Sequence, residues 1–86
     1  GESASLLLAS QATAARLRAE VNGNALVFPS EVLKERSLVE EETALYHSRR
    51  SNLEESLAGL KQALTLVEQE LQMTEPLVAK GAASEV

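Results

Sequence analysis

The stretch Leu53–Leu71 reads LEESLAGLKQALTLVEQEL, and its leucines decide the fold. Leu53, Leu57, Leu60, Leu64, Val67 and Leu71 recur at alternating steps of four and three. That is the spacing of a heptad seam, the apolar stripe by which one helix packs on another. Extended backward, the same positions fall on Arg50, Tyr46, Thr43 and Val39; extended forward, they fall on Thr74 and Val78. An unbroken helix over 38–74 would be about 55 Å long at 1.5 Å per residue, too long for the width of a small globular domain. The pattern therefore predicts a strut.

With Leu57, Leu64 and Leu71 as a, the d positions are Leu53, Leu60 and Val67. Parallel dimers favour β-branched residues at a and leucine at d, so leucine at a leans toward an antiparallel or higher-order arrangement. Glu54, Lys61 and Glu68 at e and Glu70 at g offer surface pairing only. Burying the six seam residues is worth about 9–18 kcal/mol in gross terms, at ~1.5–3 each. Chain ordering consumes most of that. A lone hairpin is thus marginal, and self-association or surrounding protein is expected.

Upstream, residues 2–21 read as a second helix. Leu7, Ser10, Ala14, Leu17 and Val21 make one row; Leu8, Ala12, Ala15 and Ala19 make an adjacent one. Together they form a broad, alanine-rich face. No capping signal precedes it, which reads as a cut through a longer helix. Asn22-Gly23-Asn24 ends it, because Gly and Asn accept the left-handed conformation of a C-terminal cap. Residues 25–36 form a connection: Pro29 interrupts any regular element, Ser30 is placed to cap a short helix over about 30–36, and Phe28 is placed to pack back against the helices. Ser37 and Glu40 match a capping box for the long helix, over about 38–80, and Glu40-Glu41-Glu42 suits the positive end of its dipole. Pro76 predicts a kink or stop, with Gly81 as a cap for one further turn. The fold class expected is all-α: a long antiparallel helical hairpin or coiled coil, residues 1–86 forming one helical region of a larger protein.

Composition narrows the function classes. The chain has 86 residues, 44% of them hydrophobic, with Phe28 and Tyr46 its only aromatics. Leucine, alanine and valine pack helices together but seldom line a ligand pocket. A net charge of −5 argues against nucleic acid, whose phosphates call for a basic face. Absence of cysteine excludes disulfides and thiolate metal sites. No window approaches the ~20 apolar residues of a membrane span, so any anchor or targeting signal would lie outside this chain.

Nothing assembles a catalytic centre. His47 is the only histidine, and no acid stands at i, i+4 to it in a metal-like pair. Three successive glutamates diverge by ~100° each around a helix and cannot converge on one ion. No serine lies in a nucleophile-elbow motif, and Gly81 is isolated rather than part of a phosphate loop. The expectation is no enzyme, no cofactor, no metal and no small-molecule substrate. Gly59 stands at an outward c position, where it costs about 1 kcal/mol relative to alanine. Its readings are tolerated variation on a solvent face or close approach by a neighbouring backbone.

Three passages carry a resemblance. LTLVEQELQMTEPLVAKGAASEV (64–86), ARLRAEVNGNALVFPSEV (15–32) and LYHSRRSNLEESLAGLKQAL (45–64) resemble the HlyD-type membrane fusion proteins, the periplasmic adaptors of bacterial type I secretion. The likeness is specific in the connection and from Thr74 to Ser84; the heptad between is generic. It implies a homo-oligomeric ring or tube, anchored in the inner membrane of a Gram-negative bacterium. Such an adaptor pairs with an inner-membrane ABC exporter and reaches across the periplasm to a TolC-like outer-membrane channel. Many such adaptors carry an Arg, a Leu four residues on, and a Ser or Thr seven further at the hairpin tip. Here Met73 stands at the Arg position, Leu77 at the Leu and Ser84 at the Ser. Leu77, Gly81 and Ser84 are therefore the candidate channel-docking tip, with Val78 and Lys80 beside them. The missing Arg leaves the usual polar tip contact unsupported. The alternative reading is a generic coiled-coil dimerisation segment of an unrelated protein.

Overall fold

The computed structural model describes residues 1–84, with side chains through residue 82. It contains three helices: α1 (Glu2–Asn22), α2 (Ser30–Leu33) and α3 (Arg36–Ser84), and the described residues include no strand. The fold is all-α, as the apolar spacing predicts. The chain divides into two units, Gly1–Asn52 and Leu53–Val86.

In the first unit, α1 ends one residue beyond the expected boundary. Gly23 caps it at φ 65°, ψ 22°, the left-handed conformation that glycine adopts without a Cβ penalty. Of the two apolar rows of α1, the alanine row is the buried one: Ala12, Ala15 and Ala19 are buried, whereas Leu7, Leu17 and Val21 are exposed. Val32 is fully buried, and Tyr46 contributes the one large aromatic surface of this core. Of the back-extended heptad positions, Val39 and Thr43 are half-buried and Tyr46 is buried, while Arg50 is exposed.

Hydrogen bonds between α1 and α3 give the direction of the two helices, and it is not that of an antiparallel hairpin. Thr13 and Arg16 both bond Glu42, and Glu20 bonds Arg49. Partner numbers rise together along both helices, which is the signature of parallel packing. In an antiparallel pair held at Glu42, Glu20 and Arg49 would stand about 18 Å apart along the axis, beyond the reach of both side chains. Parallel helices need a chain that travels back, and the connection does so. Arg36 lies level with about Leu7, roughly 22 Å back along α1 from its end. Residues 24–29 are non-helical, and six residues span at most about 20 Å; α2 supplies the remainder. Asn24, Ala25 and Val27 line one wall of a shallow groove whose other wall is Ala15, Ala19 and Asn22. Leu26 and Phe28 are half-buried and Val27 is exposed, the alternation of an extended segment laid on a helix.

Two caps differ from expectation. The short helix spans only Ser30–Leu33, with Pro29 as its cap: the Pro29 carbonyl accepts from the Val32 and Leu33 N–H groups at 3.0 and 3.1 Å. Ser30 is already inside the helix and makes no side-chain cap bond. Only Lys34 and Glu35 separate α2 from α3, so the Glu35 carbonyl takes the cap site and accepts from Leu38 and Val39 at 3.1 and 3.2 Å. Ser37 is therefore the second residue of α3 and cannot cap it.

In the second unit, α3 continues past both predicted stops. Pro76 lies inside the helix, and the helix runs to Ser84 rather than ending near residue 80. Pro76 lacks the N–H that would bond the Gln72 carbonyl, but the turns on either side are complete enough to carry the helix through. Gly81 is helical and has no positive φ, so it caps nothing.

Candidate functional site

The seam occupies one stripe of α3 in the second unit. Leu53, Leu57, Leu60, Leu64, Val67 and Leu71 are all exposed, between 47% at Leu57 and 67% at Leu60. The second unit thus presents a continuous apolar stripe with no cover from its own residues. Two threonines near this stripe satisfy their hydroxyls locally. Thr65 Oγ1 donates to the Lys61 carbonyl at 3.0 Å and Thr74 Oγ1 to the Glu70 carbonyl at 2.7 Å. Such back-bonding to the preceding turn lets a polar residue stand on an apolar helix without an unsatisfied donor. Leu66 and Met73 are also exposed and broaden the stripe on its c side.

Of the tip candidates, Leu77 is exposed at 67%, with Val78 beside it at 65%. Gly81 is exposed and an added Cβ there would meet nothing within 4 Å. The Ser84 side chain falls outside the described residues. Leu77 and Gly81 are i, i+4 on one helix and therefore share a face.

A second cluster, in the first unit, was not singled out by the sequence pattern. Glu42 accepts from Thr13 Oγ1 at 2.9 Å and from Arg16 Nε. Arg16 Nη1 also donates to Glu20 Oε1 at 3.1 Å, and Arg49 Nε donates to the same oxygen at 2.8 Å. The result is one chain of contacts, Thr13–Glu42–Arg16–Glu20–Arg49. Arg16 is buried, 8% exposed, among the alanines of α1. The hydrogen bond to Glu42 holds its guanidinium proton above the ordinary arginine range, against the opposing cost of burial. Glu42 is thus a half-buried partner of Arg16 and Thr13 rather than one of three solvated dipole charges. The signal was present: Arg16 interrupts the Ala12–Ala19 row, and a cation on a buried row calls for a carboxylate across the interface.

His47 is exposed and meets Tyr46 edge-on, ring centroids 5.4 Å apart. Arg50 Nη1 donates to the Tyr46 hydroxyl at 3.1 Å. Among the described residues no group of three or more His, Asp or Glu is placed to hold a metal ion. No described helix is long and apolar enough to cross a membrane. The described residues present an apolar stripe, an exposed helical segment beyond Pro76, and a charge network inside the first unit. Comparison with protein-family models, curated proteins and solved structures returned no match to this chain.

Proposed function

We propose that this chain is a helical arm of a type I secretion adaptor, acting by packing and docking rather than by chemistry. The observation that carries the reading is the seam: six large apolar residues at heptad spacing, every one exposed. An apolar stripe of that length is costly to leave in water, so its role is to receive other helices. The resemblance of residues 15–32 and 64–86 to HlyD-type adaptors supplies the partner class. In this reading neighbouring copies pack along the seam in a homo-oligomer, in the periplasm. The segment around Leu77, Gly81 and Ser84 docks on a TolC-like outer-membrane channel, and an inner-membrane ABC exporter works at the other end. The exposure of Leu77 and Val78 is consistent with a docking role. Met73 in place of an arginine makes that docking mainly apolar.

The reading is tested in cells that export through the protein containing this chain. Leu77→Asp with Ser84→Asp is expected to abolish export while far-UV circular dichroism of the purified variant stays helical. Normal export in that variant removes the tip assignment. The second reading, a coiled-coil dimerisation segment of an unrelated protein, is favoured by the same exposed seam. It predicts that Leu57→Asp with Leu64→Asp abolishes self-association, and that no membrane-spanning helix and no returning heptad are encoded alongside this chain.

A further inference from the structure

The buried apolar residues of α1 are small: Ala12, Ala15 and Ala19. Ala15 and Ala19 line the groove against the connection, whereas Thr13, Arg16 and Glu20 make the hydrogen bonds to α3.

The charged contacts to α3 carry a direction. Along α1 the order is Arg16 then Glu20; along α3 it is Glu42 then Arg49, so the signs are opposite at each level. In the observed register each carboxylate meets a guanidinium. A slip of one turn in one direction brings Glu20 onto Glu42; a slip the other way brings Arg16 onto Arg49. Reversing α1 in place produces both clashes together. Three of the four side chains are shielded, Arg16 at 9% exposed, Glu42 at 14% and Glu20 at 18%, while Arg49 is 58% exposed, so the sign counts most at the Arg16–Glu42 contact. Sliding a reversed α1 to keep Arg16 on Glu42 does not help, because Arg49 then faces Ala9 and Glu20 faces Leu38.

We propose that Arg16, Glu20, Glu42 and Arg49 form a charge key that specifies both the parallel direction and the register of α1 on α3. Polar groups at otherwise apolar helix contacts have this role in coiled coils, where they select one alignment among several of similar packing energy. The connection is consistent with such a requirement. Thirteen residues, 23–35, separate α1 from α3, whereas antiparallel neighbours are commonly joined by about 2–8. A connection of that length permits either direction, and the charge contacts favour the parallel one. The proposal is independent of the secretion reading.

The chain has no cysteine, so spin labels can be placed at will on the whole chain. Pairs at Arg18→Cys with Ser48→Cys, and at Ser10→Cys with Ser48→Cys, use exposed positions outside the network. Parallel packing places Arg18 nearly level with Ser48 and Ser10 about 13 Å further along the axis. The native chain is expected to give the shorter distance for the Arg18 pair. Arg16→Glu with Glu20→Arg sets like charges at each native contact, and the short Arg18–Ser48 distance is expected to be lost. Adding Glu42→Arg and Arg49→Glu restores complementarity, and the native distance is expected to return. Persistence of the short distance in the double variant overturns the proposal. So does failure of the fourfold exchange to restore it, including when the double variant has lost its helical packing altogether.

Discussion

Arg49 Nε donates to Glu20 Oε1 at 2.8 Å, and the two residues lie 29 apart in sequence. Thr13 and Glu42 stand the same distance apart in the chain and bond at 2.9 Å. A constant offset along two helices means that they advance together. This relationship gives the direction of α1 on α3 in the first unit.

The Glu42 carboxylate is the junction of that assembly, so its removal tests the network most directly. Glu42→Ala leaves the Arg16 guanidinium buried with only Glu20 to balance it, and frees the Thr13 hydroxyl. A hydrogen bond to a charged group contributes about 1.5–3 kcal/mol, and a loss of that order is expected. Urea unfolding followed by circular dichroism measures it. Glu40→Ala, an exposed neighbour on the same turn, is expected to lie within about 0.5 kcal/mol of the native chain. Equal losses for the two variants would mean that Glu42 acts through helix propensity alone.

The network has a defined pH behaviour. Arg16 is a cation whose folded-state proton affinity is raised, by the Glu42 hydrogen bond first. Its stabilisation is fully present below the unfolded pKa and is lost only as pH rises through the still higher folded value. For arginine that window lies beyond the range of ordinary measurement. Arg16→Lys brings it within reach, because an unperturbed lysine titrates near pH ~10.4. The stability gap between the native chain and Arg16→Lys is expected to widen as pH rises above about 10, measured as the difference in thermal midpoint at each pH. A gap that stays constant over that range would show that the residue 16 cation is not coupled to folding.

Much of this architecture was legible in the residues, and what was not has a physical cause. Heptad spacing identifies the long helix because periodicity is a local property, and Gly23 marks the end of α1 because few residues tolerate φ 65°. The direction of α1 was not legible, since it shows in pairings between residues far apart in sequence, Arg16–Glu42 and Glu20–Arg49, which local periodicity does not report. Ser37 resembled a cap, but capping depends on where the preceding turn ends, and the Glu35 carbonyl reached the site first. Pro76 resembled a stop because proline usually is one, yet a single missing hydrogen bond is a bounded loss within a helix of 49 residues. The seam was legible as a pattern and its exposure was not, because sequence periodicity does not say whether a partner is present.

Pro76 leads to a prediction of its own. It removes one backbone hydrogen bond from α3, and a helix-interior proline costs about 3 kcal/mol relative to alanine. Pro76→Ala is expected to raise helical content over residues 72–84 and slow amide exchange there, read by hydrogen–deuterium exchange. If the secretion reading holds, the same variant tests whether the proline has a use. A stiffer segment that still supports export means that Pro76 is tolerated, whereas loss of export with a more protected helix means that docking uses the weakened turn.

Gly59 separates a solvated helix face from a buried one. It is helical, exposed, and an added Cβ meets nothing within 4 Å of its own chain. In the isolated helix Gly59→Ala should therefore stabilise by about 0.5–1 kcal/mol, through reduced backbone entropy in the unfolded state. In an assembly packed along the seam, position 59 lies two residues after Leu57 on the outward c side. A neighbouring backbone that approached this side would meet the new methyl group. Sedimentation equilibrium of the native and Gly59→Ala chains, paired with thermal unfolding at low concentration, distinguishes the cases. Greater helix stability with unchanged association places residue 59 in solvent and limits the contact to the leucine stripe. Greater helix stability with weaker association places a second helix against Gly59, and extends the interface from Leu57 and Leu60 around to the c side of α3.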